Sequence, residues 1–166
     1  MFLNEEQRRL AGEIAERLTA RGETVAVAEA TAGGLVSAAL LSVAGASRYY
    51  RGGAVVYTLD SRTALAGVAA EQYANYQGTT PEMLATLAES MRQRLDATWC
   101  IAESGQAGPT GGRFGHSPGH ARISVAGPVT HTKEIETGLA DREANMVEFA
   151  TRALALLDDA IGEAGG

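Results

Sequence analysis

Thr24-Val25-Ala26-Val27-Ala28-Glu29-Ala30-Thr31-Ala32-Gly33-Gly34 is the stretch on which the fold turns. Residues 24–28 are a short run with β-branched side chains, set between Gly22 and the glycine pair, which predicts a buried strand rather than a helix. The turn that follows runs into an alanine- and leucine-rich segment, 35–41, read as a helix. A buried strand that passes through a glycine turn into a helix is the unit of an α/β fold. The same ending recurs once. Residues 98–102, Thr98-Trp99-Cys100-Ile101-Ala102, form another apolar strand and run into Glu103, Ser104 and the glycine-rich segment 105–119.

Working outward, Asn4 with Gln7 three positions on predicts a capped helix start. Leu10, Ile14 and Leu18 supply one apolar face, and Gly22 the stop. A second strand is expected over 53–58, with a short helical turn at 61–67. Thr80-Pro81-Glu82 combines a capping hydroxyl, a first-turn proline and an acid near the positive helix end. Leu84, Leu87, Ala88, Met91 and Leu95 give that helix its buried stripe. Strands at 121–126 and 129–135, separated by Gly127-Pro128, predict an antiparallel pair at or near a sheet edge. Asp141 caps the last helix, with Val147, Ala150, Leu154, Leu157 and Ile161 facing the core. The expectation is a three-layer α/β/α sandwich with a mixed, mostly parallel sheet and a late antiparallel hairpin.

The 166 residues predict one domain, 1–161, followed by a disordered tail at 162–166. The formal charge of −6, without a run of Lys or Arg, argues against nucleic acid as a partner. No stretch is apolar enough to cross a bilayer, and the first residues lack a signal-peptide pattern, so a cytoplasmic protein without membrane contact is expected. The single cysteine, Cys100, forms no internal disulfide and reads as a small buried side chain. His116 and His120 lie four apart in a loop with Gly115, Pro118 and Gly119, where that spacing does not align them. No metal site and no cofactor are expected.

Both glycine turns fall at carboxyl ends of strands, the edge at which open α/β sheets bind ligands. The segment Gly105-Gln106-Ala107-Gly108-Pro109-Thr110-Gly111-Gly112 has the composition of a phosphate-cradling loop. It lacks the Lys-Ser or Lys-Thr ending of a P-loop and the spacing of a dinucleotide fingerprint, so on pattern alone an anion site and a structural turn stand level. Tyr57, Thr58, Asp60 and Arg62 close the strand begun at Gly53 and are placed to reach the same edge.

Together, Ala28-Glu29-Ala30-Thr31-Ala32-Gly33-Gly34, Gly52 to Thr58, Ser104 to Gly112 and Asp141-Arg142-Glu143 resemble the CinA carboxy-terminal domain family in order and spacing, from about Thr24 to Leu157. The resemblance implies an amidohydrolase that converts nicotinamide mononucleotide to nicotinic acid mononucleotide and ammonia. It also implies a homo-oligomer, for which the weakly charged helix at 35–41 is a candidate contact. The family's first turn reads Ala-Glu-Ser-Cys-Thr-Gly-Gly, with the serine as proposed nucleophile, and a lysine five residues after the strand tyrosine assists it.

This chain departs at both positions. Ala30 stands where the serine is expected and Arg62 where the lysine is. Alanine has no attacking atom, and arginine stays protonated near neutral pH. The resemblance leaves Tyr57 as the strand tyrosine, Ser104 and Thr31 as the hydroxyls nearest the motif, and Glu29, Gly33, Gly34, Gly105, Gly108, Gly111, Gly112 and Arg142 as ligand-binding positions. Arg142 suits a phosphate. Glu103 is a further departure from an apolar position, and an ion pair between Glu103 and Arg62 is expected. Three functions remain open. The first is an amidohydrolase in which Ser104 or Thr31 attacks with Glu103 or Glu29 as base. The second is a protein that binds a small nucleotide-like ligand without chemistry, and the third is a scaffold of the same fold.

Overall fold

The computed structural model describes residues 1–165. Helix α1 (Glu5–Arg21) opens on the reciprocal cap of Asn4 and Gln7 and stops at Gly22, which is left-handed at φ 66°. Strand β1 (Val25–Glu29) is wholly buried and leads through the first glycine turn to α2 (Leu35–Leu41). The second strand, β2 (Tyr50–Val55), starts and ends three residues earlier than the 53–58 expected. Its ladder with β1 needs the glycines that weaken it as a strand in isolation. A Cβ on Gly53 would lie 2.7 Å from the Val27 carbonyl oxygen. Thr58, expected inside the strand, instead caps α3 (Leu59–Ala64) through a reciprocal bond pair with Ser61.

Helix α4 (Pro81–Arg94) begins as read, with the Thr80 hydroxyl accepting the Met83 amide. Then come β3 (Trp99–Gly105), β4 (His120–Ala126), β5 (His131–Glu136) and α5 (Arg142–Ala164), the last capped by Asp141. Sheet order is β2-β1-β3-β4-β5, with β1 parallel to both neighbours and β3-β4-β5 antiparallel in succession. The sandwich and its late hairpin are as expected.

The tail is a correction. Helix α5 continues through Ala164, with Gly165 as its cap, where 162–166 were read as disordered. Contacts remote in sequence hold it: Arg17 and Arg21 of α1 donate to the Asp158 and Ile161 carbonyls, and His131 bonds Glu163 at 2.6 Å. Gly166 lies outside the described residues.

The two faces of the sheet carry separate cores. Val25, Val27, Trp99 and Ile101 pack with α1, α2 and α5, while Ala26, Ala28, Cys100 and Ala102 pack with α4. Side chains alternate across a strand. Glu29 and Glu103 therefore continue the α2 face, and Ser104 continues the α4 face.

Candidate functional site

At the carboxyl ends of β1 and β3, on the α4 face, lies a crevice in two connected parts. The deeper part, about 390 Å³, is lined by Ala30, Thr31, Tyr57, Arg62, Thr79 and Ser104 and walled by Tyr76 and Phe114. The second, about 270 Å³, shares Thr31, Tyr57, Gly105 and Gln106 with the first and extends along Gly108, Gly111 and Gly112 to Arg142. The first volume is within the range of small-molecule sites.

All five residues singled out at the catalytic positions, Ala30, Thr31, Tyr57, Arg62 and Ser104, meet in the deeper part. Arg62, only 3% exposed, is anchored at its centre. Nε donates to the Val56 carbonyl at 3.3 Å, Nη1 to Thr79 Oγ1 at 3.1 Å and Nη2 to Ser104 Oγ at 3.0 Å. Thr31 is committed elsewhere: its Oγ1 donates to the Gly105 carbonyl at 2.7 Å and accepts the Gly105 amide at 3.1 Å. That pair ties the first turn to the end of β3. Tyr57 is 61% exposed at the rim.

The acids do not join them. Glu29, 1% exposed, accepts the amides of Gly34, Val36 and Ser37. With Gly33 and Gly34 it belongs to the start of α2 and not to the crevice. Glu103 is fully buried, and its Oε1 accepts the amides of Ala30 at 3.1 Å and Ala32 at 2.9 Å. Its Oε2 has no partner. Burial, partly offset by the Ala32 amide, pushes the Glu103 carboxyl up to about 7. No ion pair joins Glu103 to Arg62 among the described residues, contrary to expectation. Adjacent positions 103 and 104 point to opposite faces, and Arg62 is bonded to the side chain of 104. For the same reason neither acid serves Ser104 as a base.

The glycine loop is held from α5. Buried Asn145 donates from Nδ2 to the carbonyls of Ala107 at 2.8 Å and Leu139 at 2.9 Å. Arg142 Nη1 reaches the Gly108 carbonyl at 2.7 Å. A Cβ on Gly108, where φ is +97°, would lie 2.6 Å from the Ala140 carbonyl oxygen. Its glycine thus permits backbone packing as well as any ligand approach.

Sequence reasoning missed Thr79, Tyr76, Arg113 and Phe114, which line the deeper part together with Gln106 of the glycine loop and His116, weighed only as a metal ligand. Tyr73, Tyr76 and Phe114 stack edge to face in succession, Tyr76 and Phe114 with centroids 5.6 Å apart. The tyrosine pair just before Gly78 was the available signal. His116 lies flat on His120, centroids 4.1 Å apart, and burial with the neighbouring His120 and Arg122 holds its ring below the usual histidine range. Among the described residues no group of three His, Cys, Asp or Glu side chains is placed to hold a metal ion. No helix among them is long and apolar enough to cross a membrane.

A mixed sheet with helices on both faces, and a crevice where two glycine turns leave parallel strands, define an α/β sandwich open at the strand ends. The chain belongs to the CinA family: the CinA C-terminal domain matches residues 7–161. It is 41% identical over 119 residues to a CinA-like protein of Prochlorococcus marinus (strain MIT 9313), covering 72% of this chain and 28% of the relative. With a CinA-like protein of Gloeobacter violaceus it shares 38% over 130 residues, 78% of this chain and 30% of the relative. The chain thus spans about a third or less of the length of these curated relatives. Solved structures of similar size share the fold. Competence/damage inducible protein CihA from Agrobacterium tumefaciens superposes with a TM-score of 0.89 at 26% identity, over 98% of this chain and 99% of that one. The competence damage-inducible protein A (ComA) of Klebsiella pneumoniae superposes at 0.87 with 27% identity, over 94% and 97%.

Proposed function

We propose that this chain binds a pyridine mononucleotide, of the kind the family resemblance implies, in the two-part crevice, and does not hydrolyse it by the family's serine route. The observation that carries the reading is the pairing of Ala30 with Arg62 in one cavity. The position of the nucleophile holds a methyl group, and the position of its lysine holds a guanidinium bonded to three oxygens. Such a group stays charged and cannot take a proton from an incoming hydroxyl or water.

The substitute enzymes have less support. Thr31 spends its hydroxyl on Gly105 in both directions, and Ser104 has no carboxylate beside it to act as base. The cavity has an aromatic wall, and the glycine loop with Arg142 offers amides and a guanidinium for a phosphate. Calorimetry with nicotinamide mononucleotide and nicotinic acid mononucleotide, run alongside an ammonia-release assay, tests the reading. Binding in the micromolar range with release at background is expected. Turnover by the unaltered chain, or no binding below millimolar, rejects it. Assembly of copies is part of the same proposal, with exposed Leu41 on α2 as a contact, and light scattering reads it directly.

A further inference from the structure

Arg62 is a buried cation with no carboxylate in contact with it; Glu103 acts on it only at a distance. Among the described residues it makes no ion pair, and its three bonds run to a carbonyl and two hydroxyls, all neutral. The two buried acids at the neighbouring strand ends continue the other face of the sheet, where Glu29 and Oε1 of Glu103 accept backbone amides and Oε2 of Glu103 has no partner. A charge withdrawn from water without a counter-charge is costly, and a cleft is where a ligand can supply one. The rest of the crevice agrees. Arg62, Arg113 and Arg142 line it, and not one of its lining residues is acidic, in a chain whose formal charge is −6.

The donors left over indicate what is recognised. A guanidinium has five N–H bonds; three are used and the buried Tyr73 side chain lies beside the group, so at least one remains for a ligand. Ser104 Oγ accepts from Arg62, leaving its own hydrogen to donate. The deep end of the crevice therefore presents donors to an incoming group. A carboxylate is planar and acceptor-only, and it matches a guanidinium fork. A carboxamide brings an NH2 of its own and sets donor against donor at one of its two positions.

Resting on the reading of the crevice as a nucleotide site, we infer that its ligand is anionic at both ends, with a carboxylate against Arg62 and Ser104 and a phosphate toward the glycine loop and Arg142. The chain selects the deamidated acid over the amide. The probes are nicotinic acid mononucleotide and nicotinamide mononucleotide, titrated against the unaltered protein at one pH and salt concentration, then against Arg62→Lys and Arg62→Gln. The acid is expected to bind at least about tenfold more tightly. Arg62→Gln brings the ratio to about one while the amide still binds, and Arg62→Lys keeps part of the preference. Equal affinities, or a preference for the amide, overturn the carboxylate assignment and leave the nucleotide site standing. A preference that survives Arg62→Gln, with both affinities reduced alike, makes Arg62 a clamp for Thr79 and Ser104 and also overturns it. Failure of both nucleotides to bind the unaltered protein removes the site itself, and the inference with it.

Discussion

Glu103→Gln isolates the one carboxyl that the fold buries with half of its hydrogen-bonding capacity unused. In the folded chain Oε1 takes the Ala30 and Ala32 amides and Oε2 takes none, while burial moves the group from the ordinary 4.5 to about 7. Between those two values the folded protein holds a proton that the unfolded chain has released, so stability falls as pH rises. The stabilisation is complete below about 4.5, drains away through about 7 and is constant again above it. Each pH unit between the two values is worth about 1.4 kcal/mol, which makes the total about 3 kcal/mol. The carboxamide of the variant keeps an acceptor oxygen for the two amides and cannot ionise. Urea unfolding of both proteins from about pH 5 to about pH 8 should therefore show the unaltered chain losing about 2–3 kcal/mol relative to Glu103→Gln, or roughly 4–12 °C in melting temperature. The raised carboxyl of Asp158 is common to both proteins and cancels in the difference. A difference that stays flat across that range, or grows in favour of the unaltered chain at high pH, would refute the assignment of Glu103 as an under-compensated buried acid.

Three further outcomes follow from the same geometry. Ala30→Ser alone should release ammonia from nicotinamide mononucleotide only at background, because Arg62 is no base, whereas Ala30→Ser combined with Arg62→Lys should raise release measurably; activity in the single variant would show that the arginine is not the obstacle. Thr31→Val removes the two-way bond with Gly105 and should cost about 1–3 kcal/mol in urea unfolding, with no effect on any residual ammonia release; a loss of release without a loss of stability would point instead to a chemical role. Asn145→Ala strips the donors from the Ala107 and Leu139 carbonyls and should destabilise by about 2–3 kcal/mol at an unchanged m-value, with nucleotide affinity falling as the glycine loop loosens; a shift within about 0.5 kcal/mol would mean the loop is held by other contacts.

Local signals carried most of the fold. Asn4 with Gln7, Thr80-Pro81 and Asp141 each act within one helical turn, so their meaning did not depend on the rest of the chain. What escaped was set by partners far away. Helix α5 outlasts its glycine at 162 because α1 supplies arginines to its carbonyls, and β2 starts three residues early because Tyr50 and Gly52 pair with Val25 and Ala26 of β1. The site divides along the same line. Its first turn, with Ala30, and the Ser104 to Gly112 loop were legible as motifs, since each is continuous in sequence. The second wall was not: Thr79 and Tyr76 lie in a stretch without a clear period, and they reach the crevice only because α3 and the turn after it fold across the strand ends.

The reading of Glu103 erred for a sharper reason. A motif treats Glu103 and Ser104 as one cluster, whereas a strand sends them to opposite faces of the sheet. Alternation alone would have separated them. Which face holds the crevice was then a matter of tertiary packing, settled by Arg62 arriving beside Ser104. That separation also governs function. Had Glu103 shared the α4 face, it would have neutralised Arg62 and given Ser104 a base, and the crevice would suit a neutral amide and its hydrolysis. With Glu103 turned away, the guanidinium is bonded only to a carbonyl and hydroxyls, and the same residues favour holding an acid.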